Sequence, residues 1–303
     1  MPAITVDDVL VLPRVPDPDP ATTTERRVTA VTTAPRGFEG EGFPVRRAFA
    51  GVELHDLDPF IHMDEMGEVE WEPGAAKGTS WHPHRGFETV TYMLDGRMRH
   101  RDNHGNEGVL VPGSVQWMTA GRGLVHSEMP EQQAGRMRGF QLWVNLPASE
   151  KMTQPRYQEF APDRIPQVQP ADGVTVKVIA GRVGEIAGPI VQPATEPVYL
   201  DIELAPGANW RHALPEGHNA FAYMFEGDGS VGEGEAARAL ASQELAVLIG
   251  GPVFQLRAGS SGARAILVAG APLREPVARH GPFVMNTKQE IMQAFVDFQE
   301  GRF

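Results

Sequence analysis

The chain has 303 residues, with 33 Gly, 26 Pro and 41% hydrophobic content, so it can build one large domain or two of roughly 150 residues, broken by frequent turns. That profile favours many short strands over a helical bundle and excludes both disorder and a collagen-like repeat. A net charge of -12 repels phosphate backbones and argues against nucleic-acid binding, while the absence of cysteine removes disulfides, thiol nucleophiles, iron–sulfur clusters and thiolate zinc sites.

The first twenty residues, MPAITVDDVLVLPRVPDPDP, hold no basic region followed by an apolar run, so no secretory signal is expected. No stretch approaches the roughly 18 apolar residues of a membrane helix, and a soluble cytoplasmic protein is the expectation. Residues 1–45 read as an entry arm and first strands, with a β-rich piece at 27–32. From residue 45 to 144, apolar runs of strand length recur between turns at 88–94, 108–112, 114–118 and 140–144. Residues 145–170, rich in proline and polar side chains, read as a linker. A second series of strands is predicted at 174–179, 198–204, 221–225, 245–249 and 265–269. The two series repeat: Thr91-Tyr92-Met93-Leu94-Asp95-Gly96 matches Ala222-Tyr223-Met224-Phe225-Glu226-Gly227 at an offset of 131, too long a period for a solenoid and right for a domain duplication. Near the end, Thr287 and Glu290 have capping-box spacing before a stripe of Ile291, Phe295 and Phe298, which predicts a short helix packed on a sheet.

The chemistry gathers in the first half. His82 and His84 are two apart, directly before an alternating strand, and on a strand such residues share a face. About forty residues later His126 and Glu128 repeat the spacing. On neighbouring strands the two pairs would converge as three neutral nitrogens and one carboxylate oxygen. That set suits iron(II), manganese, nickel, copper, cobalt or zinc and leaves positions open for water or substrate. Glu88 shares strand parity with His82 and His84, but lies four residues beyond His84. At roughly 3.3 Å per residue it cannot reach the same ion unless the chain bends at Gly86, so a supporting role is expected for it. His100 and His104 are expected on an exposed polar turn, and His55, His62 and His280 have no partner at metal spacing. Trp81, Trp117 and Met118 are expected in the core rather than in a pocket. Gly121-Arg122-Gly123 lacks the following helix of a phosphate loop. In the second half the constellation is lost: His212 and His218 remain, six apart, and no second metal is expected there.

The segments 82–90 (HPHRGFETV), 116–128 (QWMTAGRGLVHSE) and 281–287 (GPFVMNT) closely resemble the pirin family of the cupin superfamily, a likeness running from about residue 25 to the C-terminus. The resemblance implies an all-β fold of two antiparallel cupin β-barrel (jelly-roll) domains with a short C-terminal helix. It places the N-terminal cupin domain with its metal site at 1–146 and the C-terminal, metal-free cupin domain plus helix at 147–303. It implies one divalent transition metal, iron(II) foremost, with His82, His84, His126 and Glu128 as ligands. The activity it implies is that of a quercetin (flavonol) 2,3-dioxygenase using O2, with Glu128 as the catalytic residue that takes the substrate proton. The alternative is a metal- and redox-sensing regulatory protein that binds a protein partner. The two packed barrels suit a monomer, with no direct nucleic-acid or membrane partner.

Overall fold

Strand runs, most of four to nine residues and two longer, punctuated by glycines in the left-handed region, assemble into three main antiparallel sheets in a computed structural model that describes residues 25–67, 69–131 and 135–303. In the N-terminal half these are β1 (Arg27–Thr33), β2 (Arg36–Glu39), β3 (Phe43–Arg47), β4 (Phe60–Met66), β5 (Thr79–His84), β6 (Phe87–Asp95), β7 (Met98–Asp102), β8 (Glu107–Leu110), β9 (Val115–Thr119), β10 (Leu124–Pro130) and β11 (Arg138–Asn145). Then come β12 (Arg156–Phe160), β13 (Gln167–Ala171), β14 (Val174–Ala180), β15 (Val198–Leu204), β16 (Asn209–Ala213), β17 (Asn219–Val231), β18 (Arg238–Ala241), β19 (Glu244–Ile249) and β20 (Val253–Gly270). A seven-stranded sheet has the order β12-β9-β6-β11-β4-β3-β2, and a four-stranded sheet the order β5-β10-β7-β8. The nine-stranded sheet runs β1-β19-β17-β20-β15-β14-β13, with β16 on β20 and β18 on β17. This is the all-β, two-cupin architecture expected, with a twelve-residue helix, α1 (Lys288–Gln299), near the end.

Two strands cross over. β1 pairs with β19 in the C-terminal sheet, and β12 pairs with β9 in the N-terminal one. Neither sheet is therefore built only from one side of residue 146. The supposed linker at 145–170 is partly sheet: β12 and β13 both pair, and their polar, half-exposed composition is that of edge strands. Of the first forty-five residues, β1 covers the β-rich piece, and residues 1–24 lie outside those described.

The duplication is visible in the registers. In one half Tyr92 pairs with Phe140 and Phe140 with Glu65; in the other Tyr223 pairs with Ile266 and Ile266 with Asp201. The largest apolar cluster joins the halves, with Tyr92, Phe140, Tyr199, Phe221, Tyr223 and Ile266 packed together. A second cluster around Val176, Leu200, Phe254 and Leu256 fills the C-terminal barrel. The capping box of α1 forms as the sequence predicts: Thr287 Oγ1 accepts from the Glu290 amide, and the Glu290 carboxylate accepts from the Thr287 amide. Ile291 is buried against Phe283 and Met285.

Candidate metal centre

β5 is an edge strand, so Pro83, which has no amide hydrogen to give, costs the ladder nothing there. Its neighbour β10 sets His126 directly opposite His82 and Leu124 opposite His84. The shared face brings one ring nitrogen from each of His82, His84 and His126 within 4.8 Å of one another. His84 meets His126 edge to face with centroids 4.9 Å apart, and the His82 ring lies tilted by 53° against His126 with centroids 4.3 Å apart.

These nitrogens suit a metal. His126 Nδ1 and Nε2 and His84 Nδ1 are buried and have no hydrogen-bond partner among the described residues. Orphaned buried nitrogens are costly unless something accepts their lone pairs. Burial holds both His84 and His126 well below the usual imidazole range, and the neighbouring histidines push the same way. The rings are thus neutral, the form that ligates a cation. His82 Nδ1 lies 2.8 Å from the Ser80 carbonyl, a contact that fixes its ring and leaves Nε2 as the ligand atom.

Glu128 stands outside that group of three. It is buried on β10, opposite His100 on β7, and a register slip against β5 sets it opposite Thr79. Gln141 Nε2 donates to both of its oxygens, at 3.1 and 2.9 Å, and Thr91 Oγ1 donates to Oε1 at 3.4 Å. A carboxylate held in this way is aimed by its outer partners.

Glu88 is on another sheet. Gly86, at φ +86°, turns the chain between β5 and β6, so the parity Glu88 shares with His82 and His84 in the sequence has no counterpart in space. Its Oε1 accepts from Thr119 Oγ1 at 2.6 Å and from Gln192 Nε2, across the domain boundary, at 2.6 Å. Burial raises its carboxyl above the usual range. His100 is not exposed: it is buried on β7 with Nε2 3.1 Å from Glu159, where the sequence reading expected a turn. Trp117 and Met118 are buried in the core, whereas Trp81 is 55% exposed.

Several neighbours escaped the sequence reading. Gln141 has no motif of its own and reaches Glu128 because β11 lies in the facing sheet. Trp143 packs 5.3 Å from the His84 ring and 4.4 Å from Phe87, with the Arg279 guanidinium 4.9 Å over it. His62 does have partners: Glu39 and Asp64 each bring an atom within 4.8 Å. There the cation is already present, since Arg47 pairs with Glu39 at 2.6 Å and approaches Asp64 at 3.9 Å. Gly121-Arg122-Gly123 serves as a dock, where Arg85 Nε donates to the Arg122 carbonyl and the Gly86 amide to the Gly121 carbonyl. The 281–287 segment docks there too, through Val284 on the Arg85 carbonyl.

The Pirin family model matches residues 42–144, and that of the pirin C-terminal cupin domain matches residues 199–303. A pirin-like protein of Caulobacter vibrioides is 48% identical over 267 residues, covering 88% of this chain and 94% of its own. Pirin of Homo sapiens is 43% identical over 281 residues, covering 91% and 93%. A crystal structure of quercetin 2,3-dioxygenase from Acinetobacter baumannii superposes with a TM-score of 0.86 at 34% identity, covering 92% of this chain and 99% of the other. With both of its cupin halves matched and its length spanned by such relatives, the chain belongs to the pirin family.

Proposed function

We propose that the chain is a metal-dependent flavonol dioxygenase of the quercetin 2,3-dioxygenase type, holding one divalent transition metal, iron(II) foremost, through His82, His84, His126 and Glu128, and working in the cytoplasm. The observation that carries the proposal is the convergence of three imidazoles, two of which, His84 and His126, are buried and neutral with ring nitrogens that lack partners among the described residues. The likeness to the Acinetobacter baumannii quercetin 2,3-dioxygenase supports the choice of substrate.

A divalent metal bound there would supply Lewis acidity to the flavonol 3-hydroxyl. Glu128 would take the proton of that hydroxyl on a carboxylate oxygen. Gln141 and Thr91 hold this carboxylate in place while it does so. Trp143 and Phe87, packed against His84, keep water from that side of the site. The overall reaction takes both atoms of O2 into the products, breaks two carbon–carbon bonds of the central ring and releases carbon monoxide.

Metal analysis followed by oxygen uptake with quercetin tests the reading. The expected result is one metal per chain and carbon monoxide released in step with O2 consumed, both lost in the His82→Ala/His126→Ala double variant. Turnover that persists in metal-stripped protein would refute it.

A further inference from the structure

We infer that Asp64 sets the substrate specificity of the histidine centre: one of its carboxylate oxygens accepts a hydrogen bond from a second hydroxyl of the flavonol, so that hydroxylated ring systems are selected over bare ones. This rests on the flavonol reading of that centre. The placement of Asp64 comes from strand register. Across β6, β11, β4 and β3, Thr91 pairs with Gln141, Gln141 with Asp64 and Asp64 with Arg47. Residues directly opposite on neighbouring strands share a face, so the four side chains form one polar row. The first two donate to Glu128, so the row faces the carboxylate proposed as a metal ligand.

Asp64 is the member of the row with an acceptor to spare. Its side chain is buried, Oδ2 lies 3.1 Å from His62 Nε2, and Arg47 Nη1 comes only within 3.9 Å of the same oxygen. The other arm of Arg47, Nη2, is taken by Glu39 at 2.6 Å and by the Phe38 carbonyl at 3.0 Å. Asp64 Oδ1 has no hydrogen-bond partner among the described residues. A buried carboxylate oxygen left without a donor costs stability, and a bound group that donates to it recovers that cost.

The cavity beside it fits such a group. Asp64, Gln141 and Glu128 line a cavity of about 30 Å³, room for a hydroxyl but not for a ring. Its charged lining is Glu39, Asp64 and Glu128, with no cationic side chain among the described residues, so it repels an anion and suits a donor. On a flavonol that donor is a phenolic hydroxyl. Met66, Met98 and Met137 form the apolar side of the cavity. Their unbranched thioether side chains adapt to the edge of the ring that carries the hydroxyl. A site that holds a substrate hydroxyl on a buried acceptor rejects the analogue lacking it, because the acceptor is then left unpaired.

Calorimetric titration of the iron(II)-loaded protein under argon tests this, with quercetin against 3-hydroxyflavone, which keeps the 3-hydroxyl and lacks the others. Without O2 the readout is binding alone. The wild type is expected to bind quercetin at least tenfold more tightly. Asp64→Ala is expected to bring the two affinities within about twofold by weakening quercetin alone, and unchanged 3-hydroxyflavone binding shows that the site is intact. Should Asp64→Ala fail to fold, Asp64→Asn, of the same shape, carries the test through a loss of at least about threefold for quercetin only. Equal wild-type affinities would overturn the inference, as would a preference that survives both substitutions. Carbon monoxide released in air from both flavonols with equal kcat/KM would overturn it while upholding the dioxygenase reading. The expected discrimination in binding, with no carbon monoxide in air, would refute the dioxygenase reading and leave the assignment of Asp64 standing. Failure of both flavonols to bind would overturn both.

Discussion

Tyr92 and Tyr223 stand at equivalent places in the two halves, and each hydroxyl crosses the interface to the other half's buried carboxylate. Tyr92 Oη donates to Asp201 at 2.7 Å, and Tyr223 Oη donates to Glu65 at 2.7 Å. Each carboxylate is also clamped by an arginine of its own half: Arg264 Nη2 is 2.7 Å from Asp201, and Arg138 Nη2 is 3.0 Å from Glu65. Burial and the Asp201 charge keep the Tyr92 hydroxyl protonated far above the usual phenol range, so it remains a donor at every physiological pH.

These crossed bonds make the two barrels one cooperative unit. Tyr223→Phe removes a hydrogen bond to a buried carboxylate and is expected to cost about 1.5–3 kcal/mol, as is Tyr92→Phe. Urea unfolding of the two single variants and the double variant reads both costs. A loss below about 0.5 kcal/mol for both would show that the arginines alone satisfy the acids.

Glu128→Gln is expected to lower metal affinity at least tenfold and to abolish flavonol turnover, because in the proposed ligand set Glu128 supplies the negative charge. Glu88→Gln is expected to keep metal content close to one per chain, since Thr119 and Gln192, not the histidines, hold that side chain. Elemental analysis of the two purified variants separates the carboxylates. Metal lost from the Glu88 variant and kept by the Glu128 variant would reverse the assignment.

Gly86 is the hinge between the sheet carrying the histidines and the sheet facing it. At φ +86° an L side chain is strained, and a Cβ there would overlap the Val284 carbonyl oxygen. Gly86→Ala is expected to destabilise the fold by at least about 2 kcal/mol and to reduce metal retention with it. Wild-type thermal stability in that variant would mean that the turn relaxes more cheaply than its packing suggests.

Lys151 supports the same turn from within, with Nζ donating to the Gly86 and Val284 carbonyls at 2.8 and 3.1 Å and to Asn145 Oδ1 at 2.6 Å. Burial draws its ammonium down to about 8 from an ordinary 10.5. Below pH 8 folded and unfolded chains both hold the proton, and the cost of the buried charge is fully present. Between pH 8 and 10.5 the unfolded chain holds more protons, so this group makes stability rise with pH, by at most about 1.4 kcal/mol per unit. Urea midpoints from pH 7.5 to 9.5 should show the rise in the wild type and lack it in Lys151→Met, which is less stable throughout. An equal rise in both would assign it to other groups.

Period and spacing alone carried the broad reading. The strand runs, the 131-residue repeat, the capping box at Thr287 and the two histidine-bearing pairs could all be read from the chain, because each depends on residues close in sequence whose faces follow from strand or helix geometry. The partners of those residues could not. Gln141 meets Glu128, Gln192 meets Glu88 and Tyr223 meets Glu65 only because sheets and domains pack face to face, and packing leaves no local signal. Residues 145–170 carried a misleading local signal, since an edge strand such as β12 needs no apolar alternation and looks like a linker until its pairing is seen. Glu88 marks the boundary between the two kinds of information. Parity along a strand is a property of sequence only while the strand runs straight, and the left-handed turn at Gly86, fixed by its contact with Val284, decides that it does not.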